Sequence, residues 1–492
     1  MKAIFKAGAA LAVLGMVVPA GAREHHEASQ ASDAAKAAAI SEASLAADLW
    51  VEGYRRYNAI PAISAAVANG ENTVWARGFG HTDTAGKTAA TADTIYSICS
   101  ISKVFTAVAL MQQWEEGKVA LDAPITDYLP WAKLADDPRE SVPITLRGAL
   151  THSAGLPRES AHPYWTGPDF PFPSQAQIRE RIGAQVPLYP ASTTWQYSNL
   201  GLTLVGETVE ATSGVSYADY VTTNVLKPLG LDNTRPFLPM NLYGRQMPKG
   251  YGALRADLTR PEVKIFDTAG IAPAAGFTST VNDLAKFASW TFRLADTGKA
   301  EVLRASTLRE MQRVHYLSPD WKRGWGLGFA TWQADGTNVV GHGGSCPGYR
   351  SSLAIAPAEK MAVAVAMNAN GNANEVGDGI AALFKARGNA KAFDAPEGGP
   401  VNLSEFAGTY ESQPWDSEFM LIPWAGGLAN LEPDADNPAE AMGRLKPIGG
   451  DRFLVITDTG EERETVTFRR DADGRITGLE RHGNLSRRVG DL

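Results

Sequence analysis

The sequence predicts an α/β protein: a sheet flanked by helices, followed by a small antiparallel barrel or sheet. Three observations lead there. Strand patterns stand near both ends of the first 390 residues with helical patterns between them, so segments far apart in the chain share one sheet. Residues 388–400 (Gly-Asn-Ala-Lys-Ala-Phe-Asp-Ala-Pro-Glu-Gly-Gly-Pro) read as a linker. Beyond them short strand patterns recur between turn residues, and helical periodicity is gone. A chain of 492 residues also exceeds one ordinary core. The expected division is a leader at 1–22, a main domain at 23–390, a linker at 391–400 and a β domain at 401–492.

The leader begins Met1-Lys2-Ala-Ile-Phe-Lys6, runs apolar from Ala7 to Val18 and ends Pro19-Ala20-Gly21-Ala22. A charged start, a short apolar run and an A-x-A site read as a secretory signal cut before Arg23. The run is too short to cross a bilayer, and the leader carries no cysteine for a lipid anchor. Export places the mature chain in the periplasm or outside the cell. Loss of Lys2 and Lys6 takes the net charge from −8 to −10, and no basic block occurs, which speaks against nucleic acid or an anionic membrane as partner.

Residues 23–32 read as a flexible tail, in which Glu24-His25-His26-Glu27 is a weak metal motif at best. Residues 33–57, rich in Ala, Leu and Tyr, read as helix. Strands over Ala62–Ala68 and Thr73–Gly80 turn at Asn69-Gly70. A helix follows from Ser100, with Val104, Val108 and Met111 as its apolar stripe, Phe105 widening it and Gly117 as its stop. Thr145–Leu150 is a short helix, and the Pro- and aromatic-rich region 157–190 is a loop over a cleft. Leu200–Thr212 is helical and closed by Gly214. Residues 235–270 show no period, and Leu284–Leu294 is helical. Two strands flank a glycine cluster near 341–348, Met361–Asn368 is another strand, and a helix covers 374–387. In the tail, strands are expected at Phe406–Tyr410, Phe419–Ile422, Phe453–Thr457, Thr465–Arg469 and Arg475–Leu479, with Asp473-Gly474 as a hairpin turn.

The chemistry centres on Ser97-Ile-Cys-Ser-Ile-Ser-Lys103. Ser100 and Lys103 stand at i and i+3, on one helical face. A serine hydroxyl needs a base, and a lysine in a dry pocket has its pKa lowered enough to serve. A helix N-terminus adds N–H groups that stabilise an oxyanion. Alone, the pair also fits a capping serine and a solvated lysine. Further along stands Tyr197-Ser198-Asn199, where a phenol can be held as phenolate or relay a proton, and an amide can orient a substrate. Gly341-His342-Gly343-Gly344-Ser345 would let a substrate backbone approach a strand edge, with His342 as hydrogen-bond partner. None of the eight histidines shows ligand spacing, so neither metal nor other cofactor is expected. Cys99 and Cys346 are the two cysteines; in an oxidising compartment an even pair invites a disulfide, with two buried thiols as the alternative.

Ser100-x-x-Lys103, Tyr197-x-Asn199 and His342-Gly343-Gly344, in that order, resemble the serine β-lactamase and penicillin-binding-protein superfamily. The nearest branch is that of class C β-lactamases, DD-peptidases, D-aminopeptidases and esterases. Ala149–Leu156, Leu226–Leu231 and Pro273–Thr280 fit too, and the resemblance covers about residues 40–385. It implies a β-lactamase-like sheet with an all-helical subdomain. It implies Ser100 as acylated nucleophile, Lys103 and Tyr197 as proton-transfer groups, and the backbone N–H groups of Ser100 and Ser345 as oxyanion hole. Asn199, His342, Gly343 and Gly344 would contact substrate. By similarity to some class A carbapenemases it also implies a Cys99–Cys346 bridge. The tail, with Phe406-Ala-Gly-Thr-Tyr410, is similar to lipocalin-like domains that can lend a loop to the site.

The third motif departs from β-lactamases. His342 stands where many relatives carry lysine, and Gly343 where threonine is common, so two contacts to a substrate carboxylate are weakened or lost. That favours a serine hydrolase of small esters or peptide amides, D-amino-acid peptides included. A β-lactamase or DD-carboxypeptidase is the alternative, and a non-catalytic penicillin-binding or ligand-sensing protein is the third reading. Arg350 is expected to be solvated rather than an anion partner.

Overall fold

The computed structural model describes residues 20–492, apart from 84, 85, 137, 138, 163, 335, 416 and 458, and side chains from 33 onward. Most of the expected leader therefore lies outside the described residues. Helix α1 spans Ala20–Tyr57. It takes in residues 23–32, expected to be a tail; their alanines and straight-chain residues favour helix over coil. No helix among the described residues is long and apolar enough to cross a membrane.

Strands β1 (Ala62–Asn69) and β2 (Asn72–Gly80) form the expected hairpin, with Gly70 at φ +57 in its turn. Strand β3 (Tyr96–Ser97) leads through a 3₁₀ turn, Cys99–Ile101, into α2 (Ser102–Glu115). The expected apolar stripe understates α2, which is buried all round from Ser102 to Met111. Helices α3 (Leu146–Thr151), α4 (Gln175–Arg181), α5 (Asn199–Ser213), α6 (Tyr217–Val221) and α7 (Ala272–Ala275) belong to the same, mostly helical, half. Of these, α4 lies in the stretch 157–190 expected to be a loop; Ser174 and Gln177 cap its start reciprocally. Strands β4 (Gly250–Tyr251), β5 (Glu262–Val263) and β6 (Thr278–Ser279) are two-residue pairings, in keeping with the missing period at 235–270.

Helices α8 (Val281–Thr297) and α9 (Ala305–Gln312) return the chain to the sheet. There β7 (Tyr316–Leu317), β8 (Arg323–Trp325), β9 (Ala330–Ala334), β10 (Thr337–Cys346), β11 (Tyr349–Ala356) and β12 (Met361–Met367) precede α10 (Ala373–Asn389). The eight-stranded antiparallel sheet has the order β2-β1-β12-β11-β10-β9-β8-β7, so N- and C-terminal segments do share it. Along β1, Ile63, Ala65 and Val67 face α1 and α10, while Ala66 and Ala68 face the helical half across α8. Both faces are covered, which is why β1 and β12 read as nearly unbroken apolar runs. The glycine cluster does not sit between strands. Gly341–Ser345 is the second half of β10, and the turn to β11 falls at Pro347-Gly348.

The tail is a closed antiparallel barrel of eight strands: β13 (Gly408–Glu411), β14 (Glu418–Trp424), β15 (Gly427–Leu431), β16 (Arg444–Gly449), β17 (Arg452–Ile456), β18 (Glu462–Arg470), β19 (Ile476–Arg481) and β20 (Asn484–Gly490). The sequence pattern misses β15, β16 and β20. Proline and glycine break the first two, and β20 is mostly polar. Phe406, Tyr410, Phe453 and Phe468 fill the interior, so it is a packed core. The barrel's outer face, through Met420, Ile422 and Trp424, shares a second core with Trp50 of α1 and with α10. Trp50 Nε1 donates to Ala435 O at 2.9 Å across this junction.

Candidate active site

The turn before α2 is tied down from three sides. Cys99 takes φ +51, in the left-handed region, so the chain bends sharply into Ser100. Its side chain is bonded to Cys346 at the end of β10, with the two Cα atoms 5.8 Å apart. Ser351 Oγ on β11 donates to Ile98 O at 2.9 Å, and Phe277 N donates to Ser102 Oγ at 3.0 Å. Gly344 completes the fit. A Cβ there would lie 2.2 Å from Ile98 O and 2.0 Å from the Ser351 hydroxyl oxygen. The sequence leads one to expect glycine for a substrate backbone; at Gly344 it is the protein's own turn before Ser100 that comes close. At Gly343 the nearest atom to an added Cβ is 3.4 Å away, and this residue faces the cleft.

Ser100 lies at the foot of an open cleft of ≈ 650 Å³, lined also by Tyr197, His342, Gly343, Gly344 and Ser345. The sequence motifs, spread over nearly 250 residues, are thus brought together. Lys103 is the second residue of α2 and is fully buried. Its Nζ donates to Asn199 Oδ1 at 2.7 Å and to Ala274 O at 2.8 Å, and lies 3.3 Å from Ser100 Oγ. Burial pushes its pKa well below the usual lysine value; Glu159 pulls it up and Arg158 adds to the fall. A neutral amine has two N–H groups and one lone pair. The two short contacts take the N–H groups, and the lone pair is left for the Ser100 proton.

The Tyr197 ring packs beside that amine, with Lys103 Nζ 4.8 Å and the Arg158 guanidinium 4.9 Å from its ring centre. Burial raises its pKa above the ordinary tyrosine value, while a hydrogen bond with Ser100 and the Arg158 charge oppose the rise. The phenol therefore keeps its proton, and of the two expected states the relay fits better than the phenolate. His152, at the left-handed C-cap of α3, packs against the Tyr197 ring with centroids 4.3 Å apart and planes tilted by 31°. Its Nδ1 accepts from Ser198 N at 3.1 Å, which pins the start of α5.

His342 is 5% exposed, and its Nδ1 meets Gly343 O at 2.6 Å. A carbonyl only accepts, so Nδ1 carries the proton and Nε2 is left as a lone pair with no protein partner. Burial, with Lys103 nearby, pushes its pKa down to about 3. Asn199, expected to touch substrate, is 2% exposed and bound inward: its Oδ1 accepts from Lys103 and its Nδ2 donates to Glu159 Oε1 at 2.6 Å. Arg350, expected to be solvated, is half-buried and donates to Cys346 O and Tyr349 O, each at 2.8 Å. With Arg158 and Arg323 it gives the cleft lining three guanidinium groups, and no carboxylate is among the lining residues.

Sequence reasoning missed His152 and Glu159 as site residues. Both lie in or just past the Ala149–Leu156 stretch, where a histidine after a helix and an acid after proline were the signals available. Among the described residues, no group of three or more His, Cys, Asp or Glu gathers as a metal site.

The comparisons with known proteins point one way. The Beta-lactamase family model matches residues 48–387. Penicillin-binding protein 4 of Amycolatopsis lactamdurans is 25% identical over 334 residues, covering 66% of this chain and 86% of that protein. Several other curated relatives extend further, the chain spanning 54–61% of their length. Among solved structures, the octameric penicillin-binding protein homologue from Pyrococcus abyssi superposes with a TM-score of 0.59 at 23% identity. It covers 89% of this chain and 97% of its own. The D-stereospecific amidohydrolase from Streptomyces sp. gives 0.56 at 24% identity, covering 68% of this chain and 97% of its own.

Proposed function

The chain belongs to the Beta-lactamase family, and from that premise we propose that it is a serine hydrolase acting through an acyl-enzyme on small esters or peptide amides. Ser100 Oγ attacks the carbonyl carbon while the Lys103 lone pair takes its proton. The N–H groups of Ser100 and Ser345 receive the oxyanion. Tyr197 gives its proton to the leaving oxygen or nitrogen and recovers one from the Lys103 ammonium, and the acyl group stays on Ser100 until water, activated by the restored trio, releases it. The observation that carries this reading is the buried Lys103 amine, with both N–H groups spoken for and its remaining face 3.3 Å from Ser100 Oγ. A non-catalytic ligand sensor has no use for such a base.

The substrate class follows from the third motif. His342 is neutral and brings no positive charge to the cleft, which favours substrates without a carboxylate at that point. One observation favours the second reading, a β-lactamase or DD-carboxypeptidase: Arg158, Arg323 and Arg350 line the cleft and could hold an anion. A D-stereospecific amidohydrolase shares this fold, so D-configured substrates belong in the test. The panel is p-nitrophenyl esters, aminoacyl-p-nitroanilides of both hands, a D-Ala-D-Ala peptide and nitrocefin, with Ser100→Ala as control. Turnover of esters or anilides far above nitrocefin and D-Ala-D-Ala, lost in Ser100→Ala, is expected. Preferred turnover of nitrocefin or D-Ala-D-Ala would move the assignment to the second reading, and turnover that survives Ser100→Ala would end the acyl-enzyme account.

A further inference from the structure

We propose that Glu159 is a positioning residue of this site, which locks the Asn199 amide so that its carbonyl faces Lys103 and the lysine lone pair faces Ser100. The inference rests on the acyl-enzyme reading above. Glu159 follows α3 on the loop toward α4, and its side chain is 19% exposed. Its Oε1 accepts from Asn199 Nδ2 at 2.6 Å and from Trp165 Nε1 at 2.8 Å. Its other oxygen accepts from the Tyr164 hydroxyl, and the Arg158 guanidinium Nε lies 3.4 Å from Oε1. Four donors converge on a group that touches none of the reacting atoms.

The logic is one of hydrogen-bond direction. An ionised carboxylate can only accept. Asn199 must therefore turn its NH₂ toward Glu159, which leaves only Oδ1 for Lys103. With the amide reversed, two lone-pair groups would face each other at Glu159, and two donors would face each other at Lys103. Both contacts would be lost inside a buried site, where an unmade hydrogen bond is costly. With the amide as observed, Asn199 Oδ1 and Ala274 O take the two N–H groups of the neutral amine. Trp165 and Tyr164 hold the carboxylate itself, which gives the aromatic-rich segment after residue 157 a task beyond covering the cleft. The carboxylate charge also offsets Arg158, which stands beside the same lysine.

Two variants of the full-length enzyme separate orientation from charge. In Glu159→Gln, an amide oxygen still accepts from Asn199 and Trp165, but the charge is gone. In Glu159→Leu, both are gone. Hydrolysis of p-nitrophenyl acetate is followed as kcat and KM across pH, beside thermal melting. Glu159→Gln should keep its alkaline plateau within about threefold of the parent while its acid limb moves to lower pH, because removing a nearby negative charge favours the uncharged amine. Glu159→Leu should lose roughly 10- to 100-fold in kcat with KM little changed, the kinetic equivalent of one charge-assisted hydrogen bond. An unmoved acid limb in Glu159→Gln, or parental kcat in Glu159→Leu, would overturn the proposal. If Glu159→Leu does not fold, the Glu159→Gln profile decides. Loss of activity in Ser100→Ala with both Glu159 variants behaving as parent removes this inference alone; turnover retained in Ser100→Ala removes the acyl-enzyme reading beneath it.

Discussion

Burial is what would make a base of Lys103 in the proposed mechanism. Its environment costs stability in order to hold a neutral amine where the chemistry needs one. The unfolded chain keeps a proton on this lysine up to about pH 10.4, whereas the folded chain gives it up at lower pH. The unfolded state therefore binds more protons through that window, and stability contributed by this group rises with pH and is lost as pH falls. We predict that Lys103→Met, which buries an apolar group of similar length, melts higher than the parent at neutral pH and has no measurable turnover. A lower Tm for that variant at neutral pH would contradict the account. His342 acts in the same sense lower down: its stability share is full above the unfolded value near 6.5 and is lost as pH falls toward about 3. At this scale the reacting pair was legible, because i,i+3 spacing survives any tertiary arrangement. The inward-turned Asn199 was not, because which way an amide points depends on Glu159, and nothing in a Tyr-x-Asn spacing names its partner.

Among the elements, β10 decides how the motifs meet. It pairs with β11 over seven residues, from Val340↔Ile355 to Cys346↔Tyr349, so its glycines are ladder residues rather than turn residues. The sequence shows a glycine cluster flanked by strands and does not say whether its residues belong to a strand or to the turn between two. A strand that must pass within contact of another backbone needs glycine equally, and composition does not separate the two cases. A matched pair of variants does. Gly344→Ala places a methyl against Ile98 O and Ser351 and should cost about 1–3 kcal/mol in stability, with turnover falling because the Ser100 turn is displaced. Gly343→Ala meets no atom closer than 3.4 Å and should melt like the parent. Equal Tm and kcat in the two would show that β10 does not brace the turn. The same tolerance for hidden roles explains α2, whose apolar stripe was visible while its burial on every side was not: Thr106, Ala107 and Ala109 look neutral in sequence and prove to be interior.

For the molecule as a whole, the change from a mixed chain to an all-strand tail was legible from the pattern, but the closeness of the barrel to the rest of the chain was not. Met420, Ile422 and Trp424 alternate with inward residues along β14, so that strand is buried on both faces. None of the residues lining the cleft comes from the barrel. Truncation near residue 395 should therefore act through stability: each large side chain stripped from the shared core removes about 1.5–3 kcal/mol, and activity falls with the folded fraction. Kinetics and melting of the truncated chain test this; an unchanged Tm would mean that the junction contributes nothing, and a raised KM at full folding would mean that the barrel reaches the substrate.

The pairing of Ile63 with Met367 carries a last consequence, for a protein being made rather than one at work. Ser100 leaves the ribosome early, but the strand that completes the sheet beside β1 follows about 300 residues after β1 itself, and contacts that distant form slowly. Until that strand emerges the early hairpin lacks a neighbour, an edge open to chaperones and to other nascent chains. The site cannot assemble by halves: translation must run most of its course before the residues of the cleft can meet.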